Sequence, residues 1–245
     1  MPITSASRTD VGRIRKHNED DCGEFRSESG HLLLVVADGM GGHRGGATAS
    51  RMAVETIGRV FQAEAGEAEL RDPAGLLRRA FGEANTAIFQ ASSDDEGLRG
   101  MGTTAVSLLH SADGGVWVAH VGDSRAYRLR DGKLEALTVD HSLVAELQRR
   151  GLIDAEEALV HPRRNEILRC IGVVAEVQAD VRSVDVQPGD CFALCSDGLC
   201  GVLRDPEIAA VLAAEAPDQA VNTLIDRANE CGGPDNITVQ VATVD

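Results

Sequence analysis

The stretch from Leu32 to Ser50, LLLVVADGMGGHRGGATAS, constrains this chain more than any other. An apolar run closes at Ala37, one aspartate follows, and five glycines lead into residues that suit a helix. The run reads as a buried strand, and three readings of its end compete. Asp-Gly is a strong turn signal, because both residues tolerate positive φ. Gly41 to Thr48 has the outline of a phosphate-binding glycine loop, but Ala47 stands where that loop needs its lysine. A dinucleotide fingerprint fails too, since Arg44 stands where the third glycine belongs. The last reading is a metal site, with Asp38 as a ligand at a strand end and the glycines making room beside it.

The same punctuation recurs. HVGDSR places Asp123 after an apolar run, FALCSDG does so for Asp197, and GGPDNITV sets Asp235 just before one. RKHNEDD adds Glu19 and Asp20. Any single Asp-Gly is a turn before it is a ligand. Repeated acids at the ends of separate strands are a set of hard oxygen donors, which suit Mg²⁺ or Mn²⁺ and not Zn²⁺. Carboxylates gathered in one place push each other's pKa upward unless cations neutralise them. Two cations about 4 Å apart would do so.

Between these acids the texture is mixed. Helical spacing runs from Ala47 to Gln62, and Asp72-Pro73 opens a second helix that reaches Ile88. Strands are expected over residues 102–109, 115–122, 125–130 and 133–138, with Asp131-Gly132 as a hairpin turn. A helix over 142–150, strands over 180–186 and 191–195, helices over 206–215 (capped by Asp205) and 218–230, and a last strand over 236–244 complete the pattern. Helices and strands come in blocks, which points to an antiparallel α+β layout.

With Lys+Arg at 24 and Asp+Glu at 39, the net charge of −15 argues against nucleic acid and anionic membranes as partners. No secretory h-region and no membrane-length apolar run is present, so a cytoplasmic protein is expected. The six cysteines form no C-x-x-C pair and read as core thiols of a reducing compartment.

Taken in order, RKHNEDD, VVADGMGGH, GTT, HVGDSRAY, SDGL and DNITV resemble the metal-dependent type 2C (PPM) protein serine/threonine phosphatases, above all the stand-alone bacterial members. The motifs span Arg15 to Val239. The resemblance implies one catalytic domain over residues 1–245 with a mobile flap near 139–172. It implies an α+β fold in four layers, an α/β/β/α sandwich of two antiparallel β-sheets flanked by antiparallel helices. It also implies roles. Asp38 would bridge two cations, Mn²⁺ or Mg²⁺, and the Gly39 carbonyl would bind one of them. Asp197 and Asp235 would hold the other, and Glu19 and Asp20 would act through metal-bound water. Asp123, with Asp197, would hold a third, weaker ion. Arg15 would clamp the substrate phosphate with its fork of donors.

The expected reaction is hydrolysis of phosphoserine and phosphothreonine in proteins by a metal-bridging hydroxide, opposing a cognate serine/threonine kinase. The enzyme would act as a monomer. Met40 stands where many eukaryotic members have a histidine proposed as general acid, and methionine cannot donate a proton. His43 is a candidate in its place, with water as the default. His17, His120, His141 and His161 are read as structural, and Thr103 and Thr104 as packing behind the site. Two other readings stay open here. A pseudophosphatase would have lost metal ligands, yet Asp38, Asp197 and Asp235 are present. A phosphatase of anti-sigma-type antagonists would carry a sensor or linker region and degenerate motifs.

Overall fold

The computed structural model describes residues 1–66 and 69–245. Its centre is a pair of antiparallel sheets. The first is ordered β1 (Ile3–Asp10), β11 (Ile237–Val244), β10 (Cys191–Cys195), β7 (Arg125–Arg130) and β8 (Lys133–Ala136). The second is ordered β2 (Asp20–Arg26), β3 (Leu32–Met40), β5 (Ala105–His110), β6 (Val116–Val121) and β9 (Asp180–Val184), with β4 (Gly102–Thr103) pairing the end of β3. Helices α1 (His43–Glu64) and α2 (Pro73–Asp94) cover the second sheet, and α6 (Asp205–Ala214) and α7 (Pro217–Glu230) cover the first.

Why these residues build four layers is plainest in β3. Leu33, Val35 and Ala37 face α1 and α2, while Leu32, Leu34 and Val36 face the other sheet. Successive side chains of a strand point to opposite faces, so a strand buried on both faces has to be apolar throughout. Strand β11 does the same with Val239 and Val241 under α7 and with Ala242 and Val244 between the sheets. The four-layer α+β sandwich expected from the motifs is the architecture found.

Local chemistry sets most boundaries. The Asp72 carboxylate accepts the Gly75 N–H at 2.8 Å and caps α2 as expected. Asp131 and Gly132 take φ of 49° and 74°, the positive pair of a tight hairpin turn. Helix α1 begins at His43, earlier than the expected Ala47. The 102–109 run is two strands instead of one, broken at Thr104, whose N–H donates to Asp38 O. Asp205 is the first residue of α6 and not its cap; Glu207 reaches back to the Arg204 N–H at 2.9 Å. Strands β1 and β2 had no counterpart in the sequence reading, since ITSASRTD and DDCGEFR are too polar to show as strands. The thiols are not all in the core: Cys191 and Cys195 are buried, but Cys231 is exposed.

Residues 139–172 form two short helices, α3 (Leu143–Arg149) and α4 (Ala155–Val160), stapled at the base. His141 O accepts the Leu168 N–H at 2.7 Å, and Ile171 exchanges backbone hydrogen bonds with Thr103. No described helix is long and apolar enough to cross a membrane.

Candidate active site

The strands of both sheets deliver carboxylates to one edge. Asp20 and Asp38 sit directly opposite each other in the β2–β3 register. Like charges directly opposite on paired strands repel. Asp123 follows β6, Asp235 precedes β11, and Asp197 follows β10 as the first residue of the four-residue helix α5 (Asp197–Cys200). The acids sense one another. Burial pushes the Asp38 carboxyl well above the usual range, and the charges of Asp20, Asp197 and Asp123 add to that. Burial likewise lifts Asp20 and Asp123 to about 7, each with Asp197 contributing. Asp197 is raised by burial and by Asp235, while a hydrogen bond with Asp38 and the charge of Arg15 pull the other way.

Two acceptors in this cluster are orphaned. Asp123 Oδ1 and Asp197 Oδ1 are buried and have no hydrogen-bond partner among the described residues. A buried acceptor left unmade costs about 1–3 kcal/mol. Divalent cations would satisfy both atoms and neutralise the repulsion, so the donor set fits Mg²⁺ or Mn²⁺. Asp38, Asp123, Asp197 and Asp235 are the residues that would hold them.

Neighbouring groups fix the geometry. Asp38 O accepts the Thr104 N–H and the Thr103 hydroxyl, both at 2.8 Å, so GTT packs behind the site as expected. Asp20 Oδ2 accepts the Ser196 and Thr238 hydroxyls, both at 2.7 Å. Asn236 was missed as a functional residue, although it lies within DNITV. Its Oδ1 accepts the Glu19 N–H at 2.8 Å, and its Nδ2 donates to Val11 O and His17 O at 2.9 Å. One amide thereby holds the whole loop that carries Arg15. Arg15 Nη2 donates to Asp235 Oδ2 at 2.7 Å, and the Arg15 side chain is half exposed.

Gly39 and Gly46 have a purpose beyond the one expected. A Cβ on Gly39 would meet Gly46 O at 2.1 Å, and one on Gly46 would meet Glu19 Oε2 at 1.9 Å. Gly39 and Gly46 let the end of β3 and the start of α1 touch; they do not merely clear a cleft. The contact also brings Gly39 O and the Glu19 carboxylate to the same Gly46 Cα.

His17 lies on the loop that carries Arg15, His120 and His141 lie away from the carboxylates, and the side chain of His43 falls outside the described residues. His120 and His141 stack with ring centroids 4.6 Å apart, near Asp180. This group has metal-ligand proximity that the sequence did not suggest, but its wiring is that of a clamp. His141 Nδ1 accepts the Gly122 N–H at 3.1 Å, which leaves its proton on Nε2, 3.3 Å from Asp180 Oδ2. A cation on Nε2 would force that proton to Nδ1, against the Gly122 N–H. His120 Nε2 lies 2.9 Å from Val139 O, and His161 Nδ1 accepts the Arg163 N–H, so both serve local structure.

A two-sheet sandwich with acidic residues crowded at one edge and an arginine beside them fits a metal-dependent phosphatase. Comparison with known proteins gives the family. The model of the protein phosphatase 2C family matches residues 13–235, and the chain belongs to that family. It is 41% identical over 233 residues to a serine/threonine phosphatase of Listeria monocytogenes, covering 95% of this chain and 92% of the relative. The solved serine/threonine phosphatase of S. agalactiae superposes with a TM-score of 0.92 at 36% identity, covering 100% of each chain. The catalytic domain of the phosphatase PstP, solved in complex with two manganese ions, superposes at 0.86 with 34% identity and covers 99% of each chain.

Proposed function

We propose that the chain removes phosphate from phosphoserine and phosphothreonine in proteins, and so opposes a serine/threonine kinase. The observation that carries this is the buried carboxylate cluster with its orphaned Asp123 and Asp197 oxygens, next to the half-exposed Arg15. Asp38, the Gly39 carbonyl, Asp197 and Asp235 would hold two cations, and Asp123 with Asp197 would hold a third. Bound cations neutralise the carboxylates and supply an activated water for attack on phosphorus. The protein's own groups do the rest. Asp20, held by two hydroxyls, and Glu19, held through its backbone by Asn236, orient water at the cluster. Arg15 turns its donor fork to the equatorial phosphate oxygens and steadies the charge that builds there. Met40 supplies no proton, so the leaving alkoxide takes one from water. No cysteine acts as nucleophile. The 139–172 segment acts as a flap over the cleft, and the enzyme works as a cytoplasmic monomer.

The test is turnover of a phosphothreonine peptide with Mn²⁺ and with excess chelator. Activity should need the cation. Undiminished turnover in chelator contradicts this mechanism.

A further inference from the structure

The loop that carries Arg15 has more on it than a phosphate clamp. Val11 to His17 holds Arg13, Arg15 and Lys16 and no acid, within a chain of net charge −15. Loops on a surface usually move, but this one is bolted down along its length. Gly12, at φ +79°, packs so tightly that a Cβ there would lie 2.1 Å from Asp235 O. The Arg13 N–H donates to Gly233 O at 2.8 Å, and Asn236 ties Val11 O and His17 O together. The backbone is fixed while the side chains of Arg13 and Lys16 are exposed; neither makes a side-chain hydrogen bond or close ion pair among the described residues, although the Arg13 charge reaches the Asp10 carboxyl. Ile14, between the cations, is 71% exposed.

These cations sit on either side of Arg15 in the chain. Their backbone positions lie no more than about 7 Å from it, the span of a residue or two of extended chain. A phosphopeptide held by Arg15 brings its neighbouring residues within reach of these long side chains. We infer that this loop selects phosphoprotein segments with acidic residues next to the phosphorylated one, Arg13 and Lys16 reading the flanking carboxylates. The rest of the surface is strongly acidic and repels such segments, so the preference has to come from local contact. The inference rests on the phosphatase reading and adds the substrate class.

The test compares kcat/KM of the manganese-loaded full chain on two phosphothreonine peptides, one with Asp and Glu flanks and one with Asn and Gln there. Exposed ion pairs are individually weak, so two of them should favour the acidic peptide by about threefold to tenfold. The double substitution Arg13→Glu with Lys16→Glu should reverse the preference, so that a Lys-flanked peptide is hydrolysed faster than the acidic one. Equal rates on the acidic and neutral peptides, or a double variant that keeps the wild-type ratio, would overturn the inference. So would a uniform fall on all peptides with the ratio unchanged, which would make the loop a support for Arg15 only. A protein inert toward every peptide with manganese would instead overturn the phosphatase reading on which it rests.

Discussion

Strand β10 is flanked by a buried aspartate on one side and a half-buried one on the other, and the two are treated in opposite ways. Asp190, just before the strand, is 1% exposed in its side chain and accepts two hydrogen bonds from Arg130, at 2.7 and 2.6 Å. It also accepts the Gln187 N–H. Burial works to raise its pKa, but those partners hold the carboxyl below its ordinary value. Asp197, just after the strand, has a buried Oδ1 with no partner and other carboxylates around it, and its pKa is raised. The same fold thus compensates a buried acid fully where it stands away from the carboxylate cluster. An acid left unpaired at the other end has a reason beyond folding, and the reason offered here is a cation.

The largest effect should follow from Asp38→Asn. It removes the carboxylate proposed to be shared by two cations, so manganese-dependent turnover should fall to background. It also removes like-charge repulsion, so thermal stability in chelator should rise while stabilisation by Mn²⁺ is lost. A variant that still gains stability from Mn²⁺ as the wild type does would take Asp38 out of the site.

Asp123→Ala should cut turnover sharply, while calorimetry still finds the ions held through Asp38, Asp197 and Asp235. Wild-type stoichiometry with wild-type turnover would rule out a third ion at Asp123. At the compensated end the expected effect is of another kind. Arg130→Ala strands Asp190 and should lower the melting temperature by several degrees, with the manganese requirement unchanged. A change in metal affinity there would erase the distinction between the two ends.

The smallest effect is a slope. Asp20 and Asp123 titrate at about 7 in the folded chain and near 3.8 when unfolded. Between about pH 4 and 7 the folded state therefore holds more protons than the unfolded one, and stability in chelator should fall as pH rises through that window. Acids with lowered pKa values, such as Asp190, act with the opposite sign and below about pH 4. Saturating Mn²⁺ takes the place of the protons and should abolish the slope. Melting curves from pH 4.5 to 7.5, with manganese and with chelator, read both trends.

Much of this was legible in the sequence because function had distorted the local pattern. An apolar run that stops at Asp38, or a DNIT just before a strand, is odd enough to notice. Strands β1 and β2 were not legible, because each contributes mainly backbone pairing at a sheet edge and keeps polar side chains. Asp20 was visible as an acid, but its place opposite Asp38 depends on the pairing of β2, which no short-range signal gives. Asn236 makes its three hydrogen bonds to residues some 220 positions away in sequence, a reach that only the fold closes. Helix α4 had a readable signal that went unused: Asp154 and Glu157 form a capping box.

The central claim is that the raised carboxyls hold protons where cations belong. Titration of Mn²⁺ into the protein at pH 6.5, by calorimetry in two buffers of different ionisation heat, counts protons released on binding. Tight binding is expected, with release of about one proton or more, since burial pushes the Asp20 and Asp123 carboxyls up to about 7 and bound cations would displace the protons they hold. Binding with no proton release, or no binding at all, would contradict the claim.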